Sequence, residues 1–260
     1  MALFAGAEPS AAARLGVAMT ALQFAIGIVN DIVDAERDAG RGDKPIPARL
    51  VGQGTAAWAA AGCAATGLVL TLPSGPGTVA VGGLGLGVGL AYDRWFRGTA
   101  WSWLPFAIGI PLLPVYAWLG ATGGLPGAFL VLLPTAVVAG AGLAVANALA
   151  DMDVDRRAGA GSVALALGAR RAWIVHVALL GSASLVAVGS IPVLAGVGER
   201  TADPARIGVG VAVALLGAAI IAVGAALARP ARPGGGGWEL EAVGLTALAV
   251  GWIVGVDIRG

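Results

Sequence analysis

The chain has 260 residues, of which 58% are hydrophobic and only 12% are charged. Soluble domains carry about 25% charged residues, so this chain has too little charge to cover its surface in water. Sixteen basic and fifteen acidic side chains leave a net charge of +1, which excludes long-range attraction to a polyanion, and the single cysteine, Cys63, excludes an internal disulfide framework. The composition therefore predicts a membrane protein that does not bind nucleic acid.

Eight apolar stretches follow one another along the chain, each close to the length needed to cross a bilayer. A helical span needs about 20 mostly apolar residues. The stretches cover residues 11–29, 55–72, 77–92, 103–119, 125–149, 172–197, 207–228 and 238–256, and the third of them is short and rich in glycine. Strands of membrane barrels alternate apolar and polar residues, whereas these stretches are apolar on every face. We therefore predict an all-α, multi-pass membrane protein with about eight transmembrane helices in a single domain over residues 1–260.

The loops between these stretches fall into two sets when they are assigned alternately to the two sides of a membrane. One side carries twelve of the sixteen basic residues, namely Arg37, Arg41, Lys44, Arg49, Arg94, Arg97, Arg156, Arg157, Arg170, Arg171, Arg229 and Arg232. The other side carries only Arg14, Arg200, Arg206 and Arg259. Cytoplasmic loops are enriched in Lys and Arg. We therefore expect the protein to lie in the cell membrane, with the side that carries twelve basic residues facing the cytoplasm.

A polar segment ends the first apolar stretch. Its Asn30, Asp34 and Asp38, the first acidic set, are spaced four residues apart and therefore share one face of a helix. Carboxylates at this spacing repel one another and call for a compensating cation. Oxygen ligands of this kind suit Mg²⁺, which commonly binds through one or two carboxylates and substrate phosphates. The sequence predicts the first acidic set, together with the adjacent Asp31, as ligands of a magnesium ion.

The end of the fifth stretch repeats this arrangement with Asn147, Asp151 and Asp155, the second acidic set. A weak likeness continues into the glycine-containing segments that follow, which suggests two related helical units facing one cavity. For any single acid, an ordinary solvated end of a span is the simpler interpretation. Two matching sets on one side favour a functional site, with the second set as further metal ligands and with Asp34, Asp38, Asp151 and Asp155 as catalytic acids.

Basic side chains accompany both sets, with Arg156 and Arg157 after the second set. Arg41 and Lys44 follow the first set, and Arg97 lies in the loop after the third stretch. Guanidinium groups and a Lys ammonium suit phosphate oxygens that a metal ion does not cover. The alternative is topological, since cytoplasmic loops are basic in any case. We predict that these three residues bind a substrate diphosphate.

Magnesium sites beside basic residues at a membrane surface predict a substrate with a diphosphate head and a hydrophobic tail. The reaction that fits is ionisation of an allylic diphosphate, because metal ions stabilise the departing diphosphate and an apolar cavity keeps water from the carbocation. Capture of this cation by a small, aromatic acceptor would complete a prenyl transfer and yield a precursor of a lipid-soluble quinone or pigment.

Other functions remain open at this stage. A membrane terpene cyclase would release diphosphate without an acceptor. A CDP-alcohol phosphotransferase would need an Asp-Gly-x-x-Ala-Arg motif ahead of its acids, and the sequence contains none. A non-enzymatic membrane carrier would place ionisable residues near the midplane rather than at one face. The acceptor, the isoprenoid length and the oligomeric state stay open as well.

The sequence resembles the UbiA superfamily of intramembrane prenyltransferases across nearly its whole length. The resemblance rests on the two acidic sets, on Asp43, Lys44 and Pro45, and on the segment from Trp101 to Phe106. It implies a ring of helices around a central cavity that opens toward the lipid, with magnesium-bound diphosphate under a cytoplasmic cap.

The resemblance also assigns roles to residues of this chain. One metal ion would be held by the first acidic set and another by Asp151 and Asp155, while Arg41 and Lys44 would hold phosphate. The middle loop of many members pairs a Tyr with a nearby Lys at the diphosphate. This chain has Tyr92 with Arg97 at the corresponding place.

Further differences separate the chain from many members. They usually have nine helices, which implies that the first family helix is missing here at the N-terminus. Many carry an Arg two turns before the first set, where this chain has Gln23. The lone intramembrane histidine, His176, lies well past the second set, so we expect it to pack through a hydrogen bond rather than to act on substrate.

Overall fold

A computed structural model describes residues 1–35, 44–48, 50–196, 203–229 and 237–258. The described residues contain no β-strand, and the helix content is 81%. In lipid only helices and closed barrels satisfy all their backbone hydrogen bonds internally, which explains why uniformly apolar stretches become helices. The predicted all-α class is confirmed.

The ten α-helices in these ranges are α1 (Pro9–Val33), α2 (Gln53–Thr71), α3 (Pro76–Ala91), α4 (Leu104–Thr122), α5 (Phe129–Ala150), α6 (Met152–Ala158), α7 (Val163–Leu167), α8 (Ala169–Ala195), α9 (Pro204–Leu227) and α10 (Gly237–Val256).

Each of the eight predicted stretches corresponds to a helix, namely α1 to α5 and α8 to α10. Seven of these helices are long and apolar enough to cross a membrane. The exception is α3, whose 16 residues extend about 24 Å at 1.5 Å per residue, less than a hydrocarbon core of about 30 Å. The chain is therefore a multi-pass membrane protein in which one predicted span is a shorter helix.

Helix packing divides the chain into two compact units. Unit 1 comprises Met1–Arg97 and Leu112–Leu125, and unit 2 comprises Gly98–Pro111 and Pro126–Gly260. One of the three boundaries along the chain falls inside α4. The expectation of a single domain over residues 1–260 stays a prediction.

In unit 1, α1 packs closely along α2. A Cβ placed on Gly67 of α2 would lie 2.7 Å from Leu22 Cγ of α1, so only glycine permits this approach. At the far end of the pair, Arg14 Nη1 donates to the carbonyl oxygen of Leu70 at 2.8 Å. These contacts fix α1, the helix whose C-terminal end carries Asn30 and Asp34.

In unit 2, α9 and α10 form a close antiparallel pair. Glycines recur every seven residues along both helices, at Gly210, Gly217 and Gly224 and at Gly237, Gly244 and Gly251. A Cβ on Gly217 would lie 2.6 Å from the carbonyl oxygen of Gly244. Helices in lipid associate through small residues of this kind, because lipid offers no hydrophobic drive between them.

A buried polar pair joins α8 to α10 inside unit 2. His176 Nε2 lies 3.2 Å from Glu241 Oε1, and both side chains are fully buried. The rings of Trp173 and His176 are nearly perpendicular, with their centroids 6.4 Å apart, and Trp173 Nε1 donates to the carbonyl oxygen of Ala225 of α9 at 2.9 Å. The pair therefore sits in a three-helix contact.

A small apolar core supports the end of α5. It brings α5, α6, α7 and the start of α8 together, and its buried members are Val145, Ala148, Met152, Val163, Ala164 and Ala172. The second acidic set lies along the same chain segment, so this core fixes the backbone on which Asn147, Asp151 and Asp155 stand.

Candidate active site

The first acidic set begins in the last turn of α1. The helix ends at Val33, and Asp34 caps it with φ −85° and ψ −3°. The backbone N–H of Asp34 donates to the carbonyl oxygen of Asn30 at 2.9 Å, so these two residues stand one helical turn apart, as the sequence spacing predicts. Asp38, the third predicted member, lies outside the described residues.

Asp34 is a buried carboxylate with a cationic partner. It is only 4% exposed, and its Oδ2 forms an ion pair with Arg97 Nη1. Burying a carboxylate without a partner is strongly unfavourable, and the guanidinium compensates for this cost. Arg97, predicted at the diphosphate, is thus placed beside the first acidic set in unit 1.

A carboxylate that the sequence analysis did not assign to the site completes this cluster. Asp93 is 5% exposed, and its Oδ1 accepts a hydrogen bond from Asn30 Nδ2 at 2.8 Å. Its other oxygen, Oδ2, is buried and has no hydrogen-bond partner among the described residues. Burial raises the pKa of Asp93, the Asn30 hydrogen bond and Arg97 lower it, and Asp34 raises it further. An acid that directly follows an apolar stretch, four residues before Arg97, is the sequence signal that could have identified it.

A π-helical turn positions these groups. It covers Tyr92–Phe96 directly after α3, and the backbone N–H of Arg97 donates to the carbonyl oxygen of Tyr92 at 2.8 Å. Short π-helical segments are rare and occur frequently at functional sites. Here the turn holds Asp93 and Arg97 against two neighbouring members of the first acidic set, while the predicted Tyr92 is partly buried at its start.

A second ion pair borders the cluster. Lys44 Nζ donates to Asp31 Oδ1 at 2.9 Å, and both side chains are partly exposed. Both residues were predicted for the site, Asp31 for the metal and Lys44 for the diphosphate, and the structure brings them together. Arg41, predicted with Lys44, lies outside the described residues.

The second acidic set has the same backbone arrangement in unit 2. Asp151 caps α5 with φ −88° and ψ 0°, and its N–H donates to the carbonyl oxygen of Asn147 at 3.1 Å. The N–H of Asp155 in turn donates to the carbonyl oxygen of Asp151 at 2.9 Å. The three side chains are therefore one turn apart along the chain, with a break between α5 and α6 at Asp151.

The segment that follows the second set forms hydrogen bonds with the segment that precedes α4 in unit 2. The N–H of Gly161 donates to the carbonyl oxygen of Gly98 at 3.1 Å, and the N–H of Val163 donates to Ser102 Oγ at 3.4 Å. Ser102 belongs to the segment from Trp101 to Phe106 that the sequence analysis singled out. Its hydroxyl connects that segment to the start of α7.

The two arginines that follow the second set, Arg156 and Arg157, both contact Asp153. Arg156 Nη1 donates to Asp153 Oδ1 at 2.8 Å, and Arg157 Nε donates to the carbonyl oxygen of Asp153 at 3.1 Å. Asp153 itself is exposed. Both arginines lie in the last turn of α6, where cations are favourable, and contact a residue of its first turn.

The donor set of both regions fits a hard divalent cation. Within the described ranges, no three His, Cys, Asp or Glu side chains form a metal-binding group. Asn30 and Asp34 nevertheless offer an amide oxygen and a carboxylate one helical turn apart, and the buried Oδ2 of the neighbouring Asp93 favours a cation nearby. Mg²⁺ needs only one or two protein carboxylates when substrate phosphates supply further ligands.

Solved structures with the same fold come from UbiA homologues. The apo structure of a UbiA homologue from Aeropyrum pernix K1 has a TM-score of 0.70 at 21% identity, covering 99% of this chain and 92% of that one. A UbiA homologue from Archaeoglobus fulgidus bound to GPP and Mg²⁺ has a TM-score of 0.73 at 14% identity, covering 96% and 89%. A structure of digeranylgeranylglyceryl phosphate synthase has a TM-score of 0.64 at 14% identity, covering 95% and 93%. At these identities the likeness shows the fold alone.

The family follows from the sequence itself. Comparison with curated protein sequences gives no match. The profile of the UbiA prenyltransferase family, in contrast, matches residues 1–232, which is most of the chain and includes both acidic sets. This match supports a prenyltransferase activity in general terms. The chain belongs to the UbiA prenyltransferase family.

Proposed function

We propose that this protein transfers a prenyl group from a polyprenyl diphosphate to a small, aromatic acceptor within the membrane, and that the reaction depends on Mg²⁺. The observation that carries the proposal is the pair of acidic sets, because Asp34 and Asp151 each end a long helix with nearly the same backbone dihedrals. Homologues of the same fold from Archaeoglobus fulgidus were solved with GPP and Mg²⁺ and with DMAPP and Mg²⁺, which supports an allylic diphosphate as donor.

The metal ligands in this proposal are the oxygen atoms of the two acidic sets. The first set contributes Asn30, Asp34 and Asp38, with Asp31 beside them, and the second contributes Asn147, Asp151 and Asp155. Magnesium bound by these oxygens would supply neutralisation of the charge that develops on the departing diphosphate. We propose that Asp34, Asp38, Asp151 and Asp155 all take part in this reaction.

The basic residues bind the diphosphate in this proposal. Arg97 has five N–H donors, so it can keep its ion pair with Asp34 and still donate to phosphate oxygens. Lys44 has a compact ammonium group and is partly exposed beside Asp31, so it can exchange this partner for a phosphate. Arg41 and the hydroxyl of Tyr92 complete the proposed contacts.

The reaction breaks the bond between the allylic carbon and its diphosphate oxygen. The bonding electrons leave with the diphosphate, and a carbon of the aromatic acceptor forms a new bond to the allylic carbocation. Loss of a ring proton then restores aromaticity. The deep burial of Asp34 and Asp93 supports this chemistry, because a site with little water protects the carbocation and strengthens the interactions with charge.

We also propose that the protein lies in the cell membrane with its acidic sets facing the cytoplasm. Twelve of the sixteen basic residues fall on that side when the loops are assigned alternately. Cytoplasmic loops are enriched in Lys and Arg, so this distribution favours the orientation.

An acceptor screen tests the proposal. Purified protein in lipid is given several labelled prenyl diphosphates, with and without Mg²⁺, and a panel of acceptors that includes aromatic acids and a prenylglyceryl phosphate. We expect a prenylated aromatic product, identified by its mass, which requires Mg²⁺ and is lost in Asp34→Ala and in Asp151→Ala. Asp153→Asn is the matched control, because Asp153 lies in the same segment but its side chain is 81% exposed.

Each alternative gives a different result in this screen. Activity that survives both alanine substitutions would overturn the assigned site. A cyclic hydrocarbon or alcohol formed without an acceptor would indicate a terpene cyclase. Transport across vesicles without diphosphate release would indicate a carrier.

A further inference from the structure

The amide of Asn30 can bind a cation through only one of its two ends. The carbonyl oxygen Oδ1 is an acceptor with lone pairs, whereas the Nδ2 group carries two hydrogens and repels a cation. A rotation of the amide by 180° exchanges these two ends at little cost in space. If Asn30 binds the cation of the first acidic set, another group must therefore hold its amide with Oδ1 toward the cation.

Asp93 supplies that restraint. Its Oδ1 accepts from Asn30 Nδ2 at 2.8 Å, so the amide nitrogen faces Asp93 and Oδ1 of Asn30 points away from it. Asp93 is 5% exposed, so little water competes for this hydrogen bond. A buried hydrogen bond costs more to break than an exposed one, because the separated donor and acceptor have no water to replace it.

The turn that carries Asp93 is itself held on both sides. Asp93 and Arg97 are four residues apart, and the hydrogen bond from the N–H of Arg97 to the carbonyl oxygen of Tyr92 closes the turn between them. Arg97 contacts Asp34, and Asp93 contacts Asn30. A single segment of unit 1 therefore holds two consecutive members of the first acidic set.

We propose that Asp93 is a positioning residue that orients the side-chain amide of Asn30, so that the carbonyl oxygen of Asn30 is presented to the divalent cation of the first acidic set. The proposal rests on the proposed function, because that function assigns the cation to Asn30. Carboxylates that orient metal ligands from outside the ligand set are common in metal sites, and their loss weakens metal affinity or activity by about 10- to 100-fold.

Cation binding, measured without turnover, tests the proposal. The full chain in nanodiscs is titrated with Mn²⁺ in the presence of inorganic diphosphate, and bound Mn²⁺ is followed by electron paramagnetic resonance. Asp93→Leu keeps the approximate shape and removes the acceptor, so we expect Mn²⁺ affinity to fall by about 10- to 100-fold. Asp93→Asn keeps an oxygen that can accept from Asn30, so we expect affinity within a few-fold of the wild type. Asp153→Asn, which changes an exposed acid, is expected to leave the affinity unchanged.

A double-substitution cycle separates positioning from direct binding. In an Asn30→Ala background there is no amide to orient, so adding Asp93→Leu is expected to cause no further loss of Mn²⁺ affinity. An equal loss in both backgrounds would overturn the proposal, because Asp93 would then act independently of Asn30. A loss in Asp93→Asn as large as in Asp93→Leu would overturn it as well, because the charge and not the acceptor would matter.

Folding and catalysis are controlled separately. Asp93→Ala provides a second acceptor-free variant, and size-exclusion chromatography selects folded protein for each titration. If no prenyl product forms in any assay but the Mn²⁺ affinities follow the expected pattern, the proposed reaction fails and the positioning role of Asp93 stands. If prenyl transfer occurs and Asp93→Leu binds Mn²⁺ like the wild type, the positioning role fails and the reaction stands.

Discussion

The two acidic sets share a backbone arrangement but differ in their surroundings. Asp34 and Asp151 each cap a long helix, with φ and ψ that agree within 3°. Asp34 is buried against Arg97, whereas Asp151 is exposed. The four-residue spacing therefore determines the local geometry of each set, while the electrostatic environment depends on partners that are distant in the sequence.

This difference has a clear physical origin. Unit 1 folds the π-helical turn Tyr92–Phe96 against the first set, so that Asp93 and Arg97 replace water around Asn30 and Asp34. In unit 2, Arg156 and Arg157 donate to Asp153, which is exposed and is not a member of the second set. Asn30 and Asp34 of the first set contact side chains of this turn, and Asp151 of the second set is the more exposed residue.

The two sets should differ most in how much free energy of unfolding is lost when a neighbouring arginine is removed. Arg97→Ala leaves Asp34 buried without its partner, so we expect the free energy of unfolding to fall by about 3 kcal/mol. Arg156→Ala removes an exposed pair with Asp153 and should cost less than about 1 kcal/mol. Denaturant unfolding of the purified variants in detergent measures both values. Equal losses would contradict the difference in burial between the two sets.

Ligand-induced stabilisation tests whether both sets serve the same ligand. Mg²⁺ with inorganic diphosphate at 100 times its dissociation constant should stabilise the wild type by about 2.7 kcal/mol, and EDTA should abolish the effect. We expect Asp34→Asn and Asp151→Asn each to lose most of this stabilisation, measured as the shift in melting temperature with and without ligand. Asp153→Asn is the control that should keep it. A shift retained by Asp151→Asn would restrict the ligand to the first set.

A substitution in the segment that follows the second set should change the backbone protection of unit 2 and leave that of unit 1 unchanged. A Cβ on Gly161 would lie 2.7 Å from the carbonyl oxygen of Gly98, so Gly161→Ala forces the backbones apart and should cost about 1–3 kcal/mol. Hydrogen exchange at the amides of Gly161 and Val163 should accelerate, while the amide of Arg97 in unit 1 keeps its protection. Gly208→Ala is the matched control, because a Cβ there meets no atom within 4 Å. Unchanged exchange in Gly161→Ala would contradict this prediction.

The partly exposed pair beside the first set should contribute least to stability. Lys44→Met removes the contact with Asp31 and should lower the free energy of unfolding by less than about 1 kcal/mol, with a smaller effect at high salt. Its KM for the prenyl diphosphate should nevertheless rise, since we propose that Lys44 binds phosphate. Arg171→Met, at an exposed position of α8, controls for the lost charge. An unchanged KM would remove Lys44 from the proposed site.

Much of the fold could be predicted because it depends on local composition. All eight apolar stretches became helices, and the end of α1 lies next to Asp34 because the apolar residues stop there. The spacing of Asn147, Asp151 and Asp155 also gave the correct one-turn separation along the chain. The shortness of α3 and the short helices α6 and α7 were less accessible, since they depend on how the loops pack.

The site could be predicted only where its members are close in sequence. Asp93 was missed because its contact with Asn30 joins residues 63 positions apart, and its place four residues before Arg97 indicates the site but not this contact. For the same reason the sequence assigned Arg97 to the diphosphate alone, whereas the structure shows its ion pair with Asp34. Partners across a helix bundle are determined by tertiary packing, which single-sequence spacing does not contain.

The shortness of α3 has a consequence for the surrounding lipid. Its 16 residues leave a hydrophobic mismatch of about 6 Å against a hydrocarbon core of about 30 Å. A short helix is accommodated by local thinning of the bilayer, by snorkelling of flanking side chains or by association with other helices. We therefore expect the acyl chain length of the host membrane to influence the segment that follows α3 and carries Asp93.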